Sequence, residues 1–166
     1  NGRDEMKAPN NHGIWYDALR LDIALFIGDE KLATEVVRNA EIRLDKQMDD
    51  KGRLPLEMER TTSLHYSVFA MDAFFYVAIM AEKLNIDFWK YTSPSGKSLK
   101  KGFDELLPYI ANQKEWDGEQ IKSFKYEEGY MLMKNAGRKL KCGKCDDYIK
   151  TLADEKYPRL AINLLF

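Results

Sequence analysis

Three long segments with helical apolar periodicity, at about 11–27, 30–50 and 62–84, are joined by short connections and restrict this chain to helices packed on helices. In the first, Trp15, Leu19, Ile23 and Phe26 recur at three- and four-residue steps, and further apolar residues widen the face, as in an inner, well-covered helix. Gly28 reads as its stop and Asp29 as the cap of the next segment. There Ala33, Val36, Val37, Ala40, Leu44 and Met48 form a stripe with charges between, which predicts an outer helix with one solvated side. The run from Leu54 to Glu59 alternates and contains Pro55, so it is expected to be extended. Thr61 or Thr62 then caps the third segment, which is strongly apolar through Leu64, Val68, Met71, Phe74, Phe75 and Ala78.

Further helices are expected at about 97–112, bent before Pro108, at 126–140 and 144–154, and over a short last stretch at 157–164. Residues 1–9, Asn85–Gly96 and the stretch holding Trp116, Asp117 and Gly118 read as loops. No sustained set of strands and no repeat of fixed period is visible. The fold class that follows is all-α, built of stacked antiparallel helical hairpins.

Charge excludes some partners. With 26 basic and 27 acidic residues the net charge is -1, so no basic excess points to nucleic acid. No apolar run approaches the ~20 residues of a membrane span, and no membrane partner is expected. The 166 residues fit one domain with a sizeable core. The polar start has no initiating Met and no signal peptide, and the chemistry-bearing stretch arrives already at residue 10. The chain therefore reads as the C-terminal part of a longer protein.

A helix of about 20 residues spans roughly 30 Å, so the second segment carries the chain back and sets the first and third side by side with both N-termini at one end. That end gathers Asn11 and His12 from Asn10-Asn11-His12-Gly13-Ile14-Trp15-Tyr16-Asp17, and Arg60 and Tyr66 from Arg60-Thr61-Thr62-Ser63-Leu64-His65-Tyr66. Helix N-termini carry partial positive charge and free N–H groups, so an anion is expected there. Amide, imidazole, guanidinium and phenol suit one kind of chemistry. On a sugar with a carboxylate at C5 and a glycosidic oxygen at C4, Asn11, helped by Arg60 or His12, would stabilise the enolate-like dianion. Tyr66 or His12 would take the C5 proton, and Tyr66 would protonate the departing O4. This route requires no metal and no organic cofactor.

Each residue also has a purely structural reading. Asn11 can be only a cap, His12 a helix-start residue, Tyr66 a core-edge tyrosine and Arg60 a surface cation. His65 points away from Tyr66 round the helix and reads as structural. Glu57 and Glu59 share a face of an extended run, which allows a glycosidase with paired carboxylates, although an exposed charged loop explains them as well. Cys142 and Cys145 form one CxxC with no second pair, so zinc lacks ligands and a disulfide or two free thiols is expected. Asn10, Trp15 and the loop residues Trp89 and Trp116 are candidate substrate contacts, the aromatics by stacking on sugar rings.

The stretches NNHGIWYD at 10–17, LPLEMERTTSLHY at 54–66, SPSGKSLKKGFDELLPY at 93–109 and the closing RLAINLLF resemble the alginate lyase superfamily of polysaccharide lyases. The resemblance implies an incomplete α/α toroid, an acidic polysaccharide substrate cleaved by β-elimination, and a periplasmic or secreted setting. It implies Asn11 as carboxylate neutraliser, Tyr66 as acid, Tyr66 or His12 as base and Arg60 as stabiliser. It also implies helical hairpins ahead of residue 10, or self-association through the face they would cover. Arg60 and Tyr66 stand six apart where seven is expected for the group, which leaves the substrate open. A non-catalytic carbohydrate-binding or scaffolding fragment and an α/α glycosidase are the alternatives.

Overall fold

The computed structural model describes residues 2–154, together with 156 and 161. The described residues form helices α1 (Gly2–Lys7), α2 (Asn11–Phe26), α3 (Glu30–Gln47), α4 (Pro55–Met58), α5 (Ser63–Ala81), α6 (Leu99–Ile110), α7 (Tyr130–Lys139) and α8 (Cys145–Ala153). Among them there is no strand, only an isolated antiparallel bridge between Thr62 and Gln120. The expected helix at 157–164 and the closing RLAINLLF fall, apart from residue 161, outside the described residues.

Helix α5 is the axis of the packing. Twelve of its residues are buried, including Val68, Met71, Phe74, Phe75, Val77 and Ala78, and α2, α3, α6 and α7 all lie against it. With the turn that follows, Ser63–Leu84 is long and apolar enough by composition alone to cross a membrane, yet most of it is buried among the other helices. That composition corrects the expectation that no run approaches a membrane span. Helices α2 and α3 run antiparallel: Gln47, at the end of α3, donates from Nε2 to the Asn10 carbonyl at the start of α2 at 3.0 Å.

Three local expectations are corrected. Residues 2–7 are helical although no apolar period marks them; Asp4 and Glu5 in the first turn and Lys7 in the last suit the helix dipole, and Gly2 lies against the Tyr16 ring. Pro55 opens a short helix as its first residue, where its missing N–H costs nothing, so 55–58 is not extended. Thr62 stands at the start of α5 without a side-chain cap bond, and Thr61 precedes it. The Ser63 N–H instead donates to the Glu119 carbonyl at 2.9 Å and the Leu64 N–H to Gln120 Oε1 at 3.1 Å. A remote loop caps this helix.

The expected cover of the first long helix is also corrected. Ile14, Ala18, Leu21 and Ala24 are the buried residues of α2. Leu19, Ile23 and Phe26 point outward, 57%, 49% and 91% exposed. The helix is apolar on two faces, and the face of smaller side chains permits the closer approach to α3 and α5.

The 93–97 loop is fastened to the α3 end of the molecule, with the Ser93 and Ser95 hydroxyls donating to Asp45 and Lys97 paired with Asp50. A disulfide joins Cys142 to Cys145, the first residue of α8.

Gly13 marks the tightest junction. A β-carbon there would lie 2.1 Å from Arg43 Nη1 and 2.2 Å from the Ala8 carbonyl oxygen. Arg43 needs that space: it pairs with Asp17 through Nε at 2.8 Å and donates to the carbonyls of Ala8 at 2.7 Å and Met6 at 3.0 Å. In an open helix Gly→Ala stabilises by up to about 1 kcal/mol. Gly13→Ala is predicted to destabilise by roughly 1–3 kcal/mol, the scale of overpacking. Thermal melting checks this; an unchanged or higher midpoint would contradict the junction as described.

Candidate functional site

The start of α2 is built around a buried carboxylate. Asn10 is the cap, its side-chain oxygen accepting the His12 N–H at 3.2 Å. Asn11 is therefore the first helical residue, and it is buried, 3% exposed. Its backbone N–H donates to one oxygen of Glu57 at 2.6 Å and its Nδ2 to the other at 2.8 Å. Glu57 is 2% exposed, while Glu59 is exposed, so the two acids do not share a face. The short helix α4 is what turns Glu57 inward. An anion does sit at the N-terminus of α2, as helix electrostatics requires, and the chain itself supplies it.

Three residues after Glu57 the chain delivers Arg60, whose guanidinium carbon stands 4.0 Å from the centre of the Tyr66 ring. Contact is face-on, to the ring and not to the hydroxyl. The Tyr66 hydroxyl makes no hydrogen bond among the described residues. Neither helix start leaves its first donors open: those of α5 go to Glu119 and Gln120, those of α2 to Glu57 and Asn10. At these two helix starts Arg60 lies against the Tyr66 ring and Asn11 is held by Glu57.

The remaining candidates fall into place around this frame. His12 is exposed, and its Nδ1 lies 3.0 Å from Glu5 of α1. No hydrogen bond or ring contact joins it to Arg60 or Tyr66 among the described residues. Trp15 packs between α2 and α5, 4.8 Å from Phe69 and 5.6 Å from Tyr76 between ring centres, and its buried Nε1 has no partner. Trp116 closes over the α5 start, donating from Nε1 to the Ser63 hydroxyl at 2.7 Å, with its ring edge-on to Tyr109. Trp89 is a correction. It is buried, packs edge-on to Phe75 and donates to Glu82 at 2.7 Å at the far end of α5. Core packing, not sugar stacking, explains it. His65 meets Glu128 at 2.5 Å and stacks on Phe69.

Sequence reasoning misplaced one residue here and missed another. Glu57 was in view, but not its burial; Pro55 as a first helical residue was the available signal. Asp72 lies one turn beyond Phe69 and one turn before Tyr76, and burial, with the charge of Glu128 second, pushes its carboxyl up to about 8. A lone acid in a strongly apolar helix was the signal for it.

The alginate lyase family model matches residues 1–116 of this chain. The chain belongs to the alginate lyase family. Among solved structures, an alginate lyase from Bacteroides ovatus superposes with a TM-score of 0.81 at 32% identity, over 88% of this chain and 40% of that one. The chain thus spans well under half the length of that lyase. No curated protein sequence matches it. In this member of the alginate lyase family, the NNHG stretch and the segment from Leu54 to Tyr66 are the two strands of sequence that the Asn11–Glu57 pair ties together.

Two predictions follow from this geometry. Glu57→Gln turns an amide toward a donor, and should lower stability by about 1–3 kcal/mol, the cost of leaving a buried polar group unpaired. Glu59→Gln, on the surface, should stay within about 0.5 kcal/mol. Equal melting midpoints for the two variants would refute the clamp. For Asp72, the folded-state value is raised above the ordinary 3.8, so its contribution to stability is full below about pH 4 and lost as pH rises through about 8. Asp72→Asn should therefore melt like the parent near pH 4 and above it near pH 9. Parallel curves across that window would contradict the assignment.

Proposed function

We propose that the chain carries the catalytic helices of a lyase that cuts a uronate-containing polysaccharide by β-elimination. The observation that supports this reading is the Asn11–Glu57 clamp, which holds an amide at the start of α2 against the segment delivering Arg60 and Tyr66. One Nδ2 hydrogen of Asn11 goes to Glu57; the other remains for the carboxylate of the sugar. Arg60 adds positive charge where the dianion develops. Tyr66 or His12 takes the C5 proton, the electron pair becomes the C4–C5 double bond, and the C4–O4 bond breaks with O4 protonated by Tyr66. The product is an unsaturated uronate end.

The working enzyme on this reading includes further helical hairpins, completing an α/α toroid over the outward stripe of α2. The long stretch of the Bacteroides ovatus lyase without a counterpart here supports that. A periplasmic or secreted setting suits both a polymer substrate and the Cys142–Cys145 disulfide. A second reading, a binding or scaffolding fragment, is favoured by Glu5 standing on His12.

Product chemistry separates the two. A lyase gives an ultraviolet-absorbing unsaturated end, a hydrolase a saturated one, and a binding fragment neither. Tyr66→Phe should abolish nearly all turnover through kcat with KM little changed. Asn11→Ala should lower kcat by roughly 10²–10³, the scale of one oxyanion donor. Substantial kcat retained by Tyr66→Phe would remove Tyr66 from the acid role.

A further inference from the structure

On the flank of α2 that carries Asp17 and Arg20, a cavity of about 490 Å³ opens between α2, α3 and the 6–9 turn. Its size is that of an ordinary ligand site, roughly 300–1,000 Å³. Four cations line it, Lys7, Arg20, Arg43 and Lys46, against one acid, Asp17. Arg43 and Asp17 satisfy each other and form a fixed base. Lys7, Arg20 and Lys46 make no ion pair or hydrogen bond among the described residues, although the Arg20 guanidinium is steadied 5.9 Å from the Tyr16 ring centre. Three cations without an ion pair in one concavity, of which Arg20 acts on Asp17 only through space, stand out in a chain of net charge -1. Ile42 and Leu56, 52% and 39% exposed, give the same cavity an apolar wall.

We infer that this cavity is a second binding site for the acidic glycan, holding a uronate unit away from the point of cleavage. An apolar wall suits the C–H face of a pyranose ring, and Arg20 with Lys46 suits its carboxylate. The site touches the catalytic frame: Gln47, in its lining, holds the Asn10 carbonyl, one residue before Asn11. The identity of the ligand rests on the lyase reading; the existence of an anion site does not.

The test reads the cavity directly. Methyl signals of Ile42 and Leu56 are followed by nuclear magnetic resonance in the uncleaving Tyr66→Phe background while tetramannuronate is added. The same tetramer with its carboxylates reduced to alcohols is the neutral control. The signals should shift saturably with the acidic tetramer and not with the neutral one. Arg20→Glu with Lys46→Glu should need about tenfold more ligand, and added salt should weaken binding to the parent protein as the charges are screened. Should the double variant misfold, the parent's discrimination between the two tetramers and its salt dependence decide alone. Absent shifts, equal response to the neutral tetramer, or a folded double variant that binds as tightly as the parent would each overturn the inference. A parent protein that releases no unsaturated uronate product would sink the lyase reading and leave these shifts standing, so the two failures are distinguishable.

Discussion

The buried pair between Asn11 and Glu57 is the contact on which the arrangement of this end of the molecule depends. A carboxylate taken out of water is costly unless hydrogen bonds replace its solvation. Here a backbone N–H and a side-chain amide of one residue meet both oxygens of Glu57. The helix dipole of α2 adds to that stabilisation. The consequence is geometric. The start of α2 cannot move relative to α4 without leaving a buried charge unpaired, and α4 leads within a few residues to Arg60 and Tyr66.

A second junction holds the other side of α2. Gly13 lets Arg43 reach Asp17 and the carbonyls of Met6 and Ala8 at once, which folds α1 and its turn back over the helix start. Burial raises the Asp17 carboxyl above its ordinary value while the Arg43 hydrogen bond opposes it, so pairing with Arg43 is what keeps a charge tenable there. With α2 clamped on both flanks, its outer apolar stripe and the basic cavity are surfaces of a rigid element. Neither is an accident of a loose helix end.

How much of this the sequence reveals depends on whether the signal is local. Helices α2, α3 and α5 are legible because each carries its own apolar period, and the return of α3 follows from helix length alone. The juxtaposition of Asn11 with the Arg60 segment follows from that same geometry. The inward turn of Glu57 does not, because alternation over six residues looks the same in a strand and in a single helical turn begun by Pro55. The cap of α5 is equally hidden: its partners Glu119 and Gln120 lie 56 residues on for the hydrogen bonds of Ser63 and Leu64. Trp89 shows the converse error, a loop aromatic whose neighbour Phe75 and acceptor Glu82 bury it. The outward direction of Leu19, Ile23 and Phe26 could not be read either, since a helix apolar on two faces does not say which face its neighbours choose.

Whether the clamp serves a reaction is tested most directly by a crystal structure of the Tyr66→Phe protein with a uronate oligosaccharide bound. The account places a sugar carboxylate within hydrogen-bonding distance of Asn11 Nδ2 and close to Arg60, with Glu57 still holding Asn11 and the C4 oxygen facing residue 66. A sugar bound elsewhere, or a carboxylate that displaces Glu57 from Asn11, would contradict it.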